Sequence, residues 1–315
     1  MARYLVTGGA GFIGGAIARR LLEQGHHVVI VDNLSTGARE NVPAAADFVL
    51  ADLRSDAAVA ALDGRGVDAV LHLGAQSSGE ISHADPLADF DTNARGTFLL
   101  LRWAERYGIR RFLFASSMAV YGSHDGPVSE DTPVAPISFY GASKVAAEAA
   151  VSLFGRHGGS PTILRMFNVY GPGQNLGNLR QGMASIYLAH MLSGGPIVVK
   201  GSLDRYRDLV FIDDVVDAWL QALDHAPSPG ATYNVGTGRK TTVRTLVDGL
   251  LRAAGHTSET CGVTVSGETP GDLAGSVADI THISRTLGWV PRVALDDGLR
   301  RMVAWAKMFP ITSCE

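Results

Sequence analysis

Tyr140 and Lys144 stand four residues apart in the run Tyr-Gly-Ala-Ser-Lys, so on a helix a phenol and an ammonium share one face. A free tyrosine, with a pKa of about 10, is a weak base at neutral pH. A cation one turn away favours the phenolate and makes proton abstraction practical. Ser116 and Ser117 end a short apolar run that begins at Phe112, and a hydroxyl there can relay or orient a proton. An exposed Tyr–Lys pair on an amphipathic helix has the same local pattern. The pair therefore gains meaning only from what surrounds it.

The chain supplies that context at its start. Thr7-Gly8-Gly9-Ala10-Gly11-Phe12-Ile13-Gly14 follows a strand-like run and opens a helical pattern. Gly8, Gly11 and Gly14 let the turn tighten, let backbone approach a pyrophosphate and let helix pack on sheet. The helix N-terminus then offers unpaired N–H groups to the anion. Asp32 closes the second strand 18 residues beyond Gly14, where a carboxylate accepts from an adenosine ribose. Its charge would repel a 2′-phosphate, so the spacing points to NAD over NADP, although Arg39 and Arg54 are available to compensate. Asp52-Leu53 after the third strand reads as an adenine contact or, alternatively, as a helix N-cap.

These residues need a scaffold. Continuous apolar runs at 4–7, 28–31, 48–50, 69–73, 112–115 and 162–165 suit strands buried on both faces of a parallel sheet. Helical patterns over 12–23, 87–107 and 139–154 separate them, so the fold class expected is α/β, a doubly wound parallel sheet. Residues 209–212 with the helix after them read as a return to that sheet. The expected division is a nucleotide-binding domain at 1–167 plus about 208–236. A smaller C-terminal substrate lobe takes 168–207 plus about 237–315.

Composition narrows the field. The 315 residues are 46% hydrophobic and 18% charged with a net charge of −4, which allows a large core and gives no electrostatic reason for nucleic acid as partner. The two cysteines, Cys261 and Cys314, support neither a disulfide framework nor a cysteine metal site. No apolar run is long enough to span a membrane, and the start does not resemble a signal peptide. The expected compartment is the cytoplasm, and no metal is expected.

Taken together, the sequence resembles the extended short-chain dehydrogenase/reductase family (Rossmann fold), and within it the nucleotide-sugar epimerase/dehydratase branch. The resemblance rests on Thr7–Gly14, on the run from Asp32 to Gly37, on Ser116-Ser117-Met118-Ala119-Val120-Tyr121-Gly122 and on Tyr140 with Lys144. It continues through the run from Arg165 to Pro172, Arg207-Asp208, Gly271-Asp272 and Ala278-Asp279. It implies Tyr140 as base, Ser117 as the hydroxyl beside it, and Lys144 on the nicotinamide ribose, tuning Tyr140. It implies tightly bound NAD, regenerated each turnover, held by Gly8, Gly11, Phe12, Ile13, Gly14, Asp32, Asn33, Asp52, Leu53, Leu73, Ala75, Asn93, Ser116, Tyr140 and Lys144. A UDP-sugar would be held by Ser78, Ser117, Met118, Tyr140, Asn168, Arg207, Asp272 and Ser276. Relatives pair two helices across a four-helix bundle, which implies a homodimer.

The resemblance also bears on the reaction. Family 4,6-dehydratases carry an Asp-Glu pair directly after the active-site hydroxyl, where this chain has Met118 and Ala119. Neither transfers a proton, and general acid–base help is worth roughly 10²–10⁴-fold. The expectation is a 4-epimerase acting through a transient 4-keto sugar, on a UDP-hexose or, since Ser276 is small, a UDP-N-acetylhexosamine. The alternative is an atypical dehydratase, with Glu80 as the acid or base and His83 a surface residue. The loop at 76–83 lacks the basic residue of many relatives. Thr269-Pro270 and Leu273-Ala274 replace arginines around Asp272, which shifts the expected diphosphate clamp to Arg207 with Arg205 or Arg180.

Overall fold

A computed structural model describes residues 1–124, 126–225, 230–267 and 275–308. Asp272 and Cys314, and the Thr269-Pro270 and Leu273-Ala274 pairs, lie outside the described residues. Seven parallel strands form the central sheet: β1 (Arg3–Thr7), β2 (His27–Asp32), β3 (Asp47–Leu50), β4 (Ala69–His72), β5 (Arg111–Ser117), β6 (Ser160–Met166) and β7 (Ala231–Val235). Their order is β7-β6-β5-β4-β1-β2-β3. The strands run away from β1 in both directions, so the crevice at the reversal lies beside β1 and β4, where doubly wound sheets take ligands. Leu5, Val6, Val29, Ile30, Val70, Leu71, Phe112 and Leu113 are fully buried. Burial on both faces explains why these strands read as unbroken apolar runs.

The helices include α1 (Phe12–Glu23), α2 (Gly79–Ala84), α3 (Pro86–Phe90), α4 (Gly96–Arg106), α5 (Phe139–Arg156), α6 (Met183–Leu192), α7 (Ile212–Asp224), α8 (Val243–Ala254) and α9 (Leu295–Met308), with further short ones at Asp56–Ala60, Ser258–Cys261 and Thr281–Leu287. The helix expected at 87–107 is present as an unbroken helical run over 86–106, but its hydrogen-bond pattern changes partway. Asp85 caps the N-terminus of α3 through Ala88 N–H, Pro86 sits in its first turn, and a π turn at Asp91–Arg95 joins α3 to α4. Such a turn inserts a residue into the ladder and re-aims the side chains around it. Part of the expected loop at 76–83 is helical, because Ser78 accepts from Ile81 N–H and starts α2.

Residues 209–212 do not return to the central sheet. Leu209–Phe211 pairs in parallel with Asn168–Tyr170 as a separate ribbon, and the strand that joins the sheet beside β6 is Ala231–Val235. Val210 and Phe211 are buried in this ribbon, and an apolar run alone does not say which partner it takes. The helix that follows, α7, packs against α1, β5 and β6. Among the described residues no helix is long and apolar enough to cross a membrane.

Candidate active site

The phosphate turn is built so tightly that only glycine fits. Gly8 has φ +69°, and a Cβ there would lie 2.7 Å from Gly74 N. At Gly14 it would lie 2.3 Å from the Gly8 carbonyl oxygen. The first turn of α1 has no side-chain cap and no acidic residue, so the N–H groups at Phe12 and Ile13 and the positive helix end face the crevice. At the tip of β2, Asp32 accepts from Leu34 N–H at 2.8 Å and Ala10 N–H at 3.1 Å. Those bonds aim the carboxylate and leave lone pairs for a ribose diol. They also hold Leu34 at φ +59°, a conformation that costs a non-glycine residue energy. The cradle therefore fits NAD on the chain's own geometry. Gly14→Ala should abolish NAD retention, measured as the absorbance ratio of the purified protein; full retention would mean the turn can relax around the methyl group.

Both arginines that could offset Asp32 are committed elsewhere. Arg54 chelates Asp52, with Nη2 2.6 Å from Oδ2, and its hydrogen bond is the main reason the Asp52 carboxyl falls to about 2. The Arg39 guanidinium lies 4.6 Å from the Phe48 ring centre. Asn33 donates to Asp52 at 3.1 Å, so the tips of β2 and β3 form one polar patch. Leu53 packs beside them on the core.

Beyond β4, the N–H groups of Leu73 and Gly74 donate to Thr7 Oγ1 at 3.1 and 2.9 Å, which locks the segment through Ala75 to the phosphate turn. Asn93 lies in the π turn, buried, with its amide given to Gln76 backbone, Asp89 and Ser143. Its side chain braces the site from inside.

Ser116 and Ser117, the last two residues of β5, both meet α5 but at different places. Ser116 donates to Glu148 at 2.5 Å, so its hydroxyl is spent inside the protein. Ser117 accepts from Ala119 N–H at 3.2 Å and hydrogen-bonds the Tyr140 phenol. Ser138 caps α5 through Gly141 N–H at 3.1 Å, and from that start Tyr140 and Lys144 face β5. Lys144 is buried and donates to the Ala115 carbonyl at 3.0 Å. Its ammonium lies 5.9 Å from the Tyr140 ring centre.

The electrostatics differ from the simple picture of a lysine that depresses a tyrosine. Burial pushes the Tyr140 phenol up to about 12; the Ser117 hydrogen bond pulls it down and the charge of Asp89 pushes it further up. Burial brings Lys144 down to about 8, against the pull of Asp89 and Glu148. Desolvation outweighs the ammonium, which bonds a carbonyl and lies nearly a full turn away.

The outer pocket gathers on the ribbon. Asn168 follows β6 and its backbone N–H donates to the Asp208 carbonyl; its Oδ1 is buried without a hydrogen-bond partner. Ser276 is buried with an unpartnered hydroxyl. Arg207 is buried and donates to the Tyr206 carbonyl at 2.7 Å. Burial, and after it the nearby Arg205 charge, bring Arg207 down to about 10. Like charges this close disfavour each other's charged form. Asp208 ties the region together by accepting from Thr237, Gly238 and Ala278 N–H groups. Met118 lies in a short 3-10 turn and packs on the Val120, Tyr121 and Phe167 cluster.

The loop residues take other roles. Ser78 is buried, caps α2 and donates to the Arg180 carbonyl at 2.7 Å. Glu80 is paired with Lys200 at 3.1 Å and Arg180 at 3.7 Å. His83 is exposed. Among the described residues no acidic, histidine or cysteine cluster is arranged to hold a metal.

The sequence reading passed over Asp89, Gln76 and His72. Asp89 lies in a stretch that looks like plain amphipathic helix, and His72 ends an ordinary buried strand. Thr97 donates to the Asn93 carbonyl at 2.6 Å, so its oxygen accepts from His72 Nε2–H at 2.9 Å. The Nδ1 of His72 then accepts from Thr7 Oγ1 at 2.7 Å, which makes the imidazole neutral.

The chain is similar over nearly its whole length to known proteins. Residues 4–236 match the model of the NAD dependent epimerase/dehydratase family. Over 306 residues the chain is 36% identical to a putative UDP-glucose 4-epimerase of Methanocaldococcus jannaschii, covering 96% of this chain and 98% of that one. The fold superposes on a UDP-glucose 4-epimerase of Thermotoga maritima solved with UDP-glucose, at a TM-score of 0.92 and 35% identity over 97% of this chain and 99% of that one. It also superposes on a dTDP-glucose 4,6-dehydratase of Streptomyces venezuelae solved with NAD, at 0.89 and 32% identity over 98% of this chain and 97% of that one. With its phosphate turn, its strand-end serine and its Tyr–Lys helix in one crevice, the chain belongs to the NAD-dependent epimerase/dehydratase family of extended short-chain dehydrogenases.

Proposed function

We propose that this protein is a nucleotide-sugar 4-epimerase acting on a UDP-hexose or UDP-N-acetylhexosamine. The observation that carries the reading is the turn after Ser117, where Met118 and Ala119 occupy the positions at which an elimination needs an acid and a base. Nearby carboxylates do not substitute for them: Glu148 is bound to Arg165 and Ser116, Asp89 to Gln76, Asn93 and Ser143, and Asp208 to three backbone N–H groups. Glu80, the acid of the alternative reading, is neutralised by Lys200 and Arg180. The name of the Methanocaldococcus relative and the UDP-glucose held by the Thermotoga structure support the same choice.

In this mechanism Tyr140, as phenolate, removes the proton from the sugar C4 hydroxyl, and Ser117 orients the exchange. NAD, when bound, supplies the acceptor and then the donor of the C4 hydride. Tyr140 returns its proton to the oxygen after the keto sugar has presented its other face. Lys144 would hold the nicotinamide ribose. Asn168 and Arg207 take the diphosphate, and the buried Ser276 hydroxyl leaves room at the sugar. Asp272 completes the substrate set inferred from the family pattern.

We further infer a homodimer built on α4 and α5, where Phe98, Ala149, Ser152 and Leu153 are exposed. Sedimentation velocity checks it; a single species of one-chain mass removes that inference.

The deciding experiment is NMR of the purified protein with UDP-GlcNAc, UDP-glucose and UDP-glucuronate separately in D₂O. A C4 epimer of one of them without deuterium on carbon is the expected result. Olefinic or 6-deoxy signals, or loss of one water, would sink the epimerase reading and bring Glu80 back into question.

A further inference from the structure

A buried carboxylate beside the Tyr–Lys pair has no role in the mechanism above. Asp89 on α3 is 1% exposed. Its Oδ1 accepts from Gln76 Nε2 at 2.6 Å and Asn93 Nδ2 at 3.1 Å, and its Oδ2 accepts from Ser143 Oγ at 2.6 Å. Burial raises the Asp89 carboxyl above its ordinary range, while the Ser143, Gln76 and Asn93 hydrogen bonds and the Lys144 charge pull it back; three donors and no acceptor around it suit the ionised form. Ser143 sits on α5 between Tyr140 and Lys144, so this bond grips the catalytic helix at the turn that carries both. The Ser143 hydroxyl has a second acceptor within reach, the Tyr140 carbonyl at 3.0 Å. Without Asp89 it would fall back on its own helix.

The same carboxylate reaches the cofactor turn. Asn93 holds Gln76 through both backbone groups, and Thr97 joins Asn93 to His72 and from there to Thr7. Thr7 in turn takes the Leu73 and Gly74 N–H groups. A continuous buried chain therefore runs from the phosphate turn to the N-terminal turns of α5, and Asp89 is its one acidic member. Fully satisfied networks of this kind fix geometry, because each missing partner is costly at low dielectric.

We propose that Asp89 is a positioning residue of the catalytic centre: through Ser143 it sets the rotation of α5, and its charge holds the Lys144 ammonium in place. The proposal rests on the reading of Tyr140 and Lys144 as the catalytic pair. The charged and titratable groups facing Lys144 are Asp89 from α3, Glu148 and Tyr140 on α5, and the neutral His72 from β4. Glu148 is already shared with Arg165 and Ser116, which leaves Asp89 as the less committed counter-charge. Removing its charge takes away a stabiliser of the ammonium, so Lys144 would lose its proton at lower pH.

The test compares Asp89→Ala, Asp89→Asn, Ser143→Ala and Tyr140→Phe in the full chain. Asp89→Ala should lower kcat by about 10- to 100-fold with KM changed less than about threefold, the scale expected when a catalytic group is misplaced. Asp89→Asn, which keeps the shape, should recover most of kcat near pH 7 while the alkaline limb of its pH–rate profile moves to lower pH. A readout independent of turnover is the ¹³Cε resonance of Lys144, identified by its loss in Lys144→Met. It should titrate at lower pH in Asp89→Asn than in the wild type, without sugar present. Unchanged Lys144 titration and an unchanged profile in Asp89→Asn would overturn the proposal. So would wild-type kcat in Asp89→Ala alongside a dead Tyr140→Phe, and in that case the catalytic pair would stand without Asp89. If Tyr140→Phe turns over normally, the catalytic reading falls and takes this proposal with it. Should Asp89→Ala not fold, Ser143→Ala carries the geometric half: a several-fold loss of kcat supports it, and wild-type kcat overturns it.

Discussion

Tyr140→Phe is expected to lower kcat by roughly 10²–10⁴-fold, the usual worth of a positioned general base, with NAD still retained and the protein as stable as before. The substitution removes one oxygen from a ring that stays packed between Ser117 and the α5 face, so its effect is confined to proton transfer. The pH dependence gives the stricter check. The protein's own groups hold the phenol high, at about 12, chiefly through burial. An acid whose pKa is raised gives its base form only as pH climbs, so kcat/KM should rise with pH through the neutral range. A cationic nicotinamide beside the ring would move that rise to lower pH, because a nearby positive charge favours the phenolate. The limb should vanish in the residual activity of Tyr140→Phe. A profile that keeps the same limb in the variant would show that another group removes the proton.

The largest effect on stability is expected at Glu148. Its carboxylate accepts from Arg165 Nε at 2.9 Å and Nη2 at 2.7 Å, with both side chains 9% exposed, and from Ser116 at 2.5 Å. Arg165 also reaches the Tyr121 hydroxyl at 3.0 Å, which donates to Asn234 on β7 at 2.6 Å. The network therefore sews α5 to β5, β6 and β7. Removing one partner of such a pair leaves an uncompensated buried charge, and Glu148→Ala should cost about 3–5 kcal/mol in urea unfolding. The double variant Glu148→Met with Arg165→Met should recover most of that loss, since replacing both ions removes the desolvation cost along with the attraction. A single variant within about 1 kcal/mol of wild type would mean that water reaches the pair on relaxation.

What could be read in advance follows from how local each signal is. The phosphate turn and Asp32 are legible because strand, glycine spacing, helix and second strand are contiguous, so the single segment Arg3–Asp32 carries the whole geometry. Tyr140 and Lys144 are legible for the same reason: one helical turn relates them. The direction of the Tyr140 shift was not legible, since it depends on burial contributed by β5, α3 and the loop after β4. The pairing of Leu209–Phe211 was not legible either, because an apolar strand of three residues satisfies its burial against whichever edge the chain presents.

By itself, then, the sequence determined the doubly wound class, the NAD cradle and the Tyr–Lys helix, each from spacing within one supersecondary unit. Only the tertiary structure decided that Asp89 grips Ser143, that Glu148 is spent on Arg165 and that Glu80 is spent on Lys200. These are contacts between residues 17 to 120 positions apart. No periodicity records such distances, and the chain's path through the sheet brings the partners together.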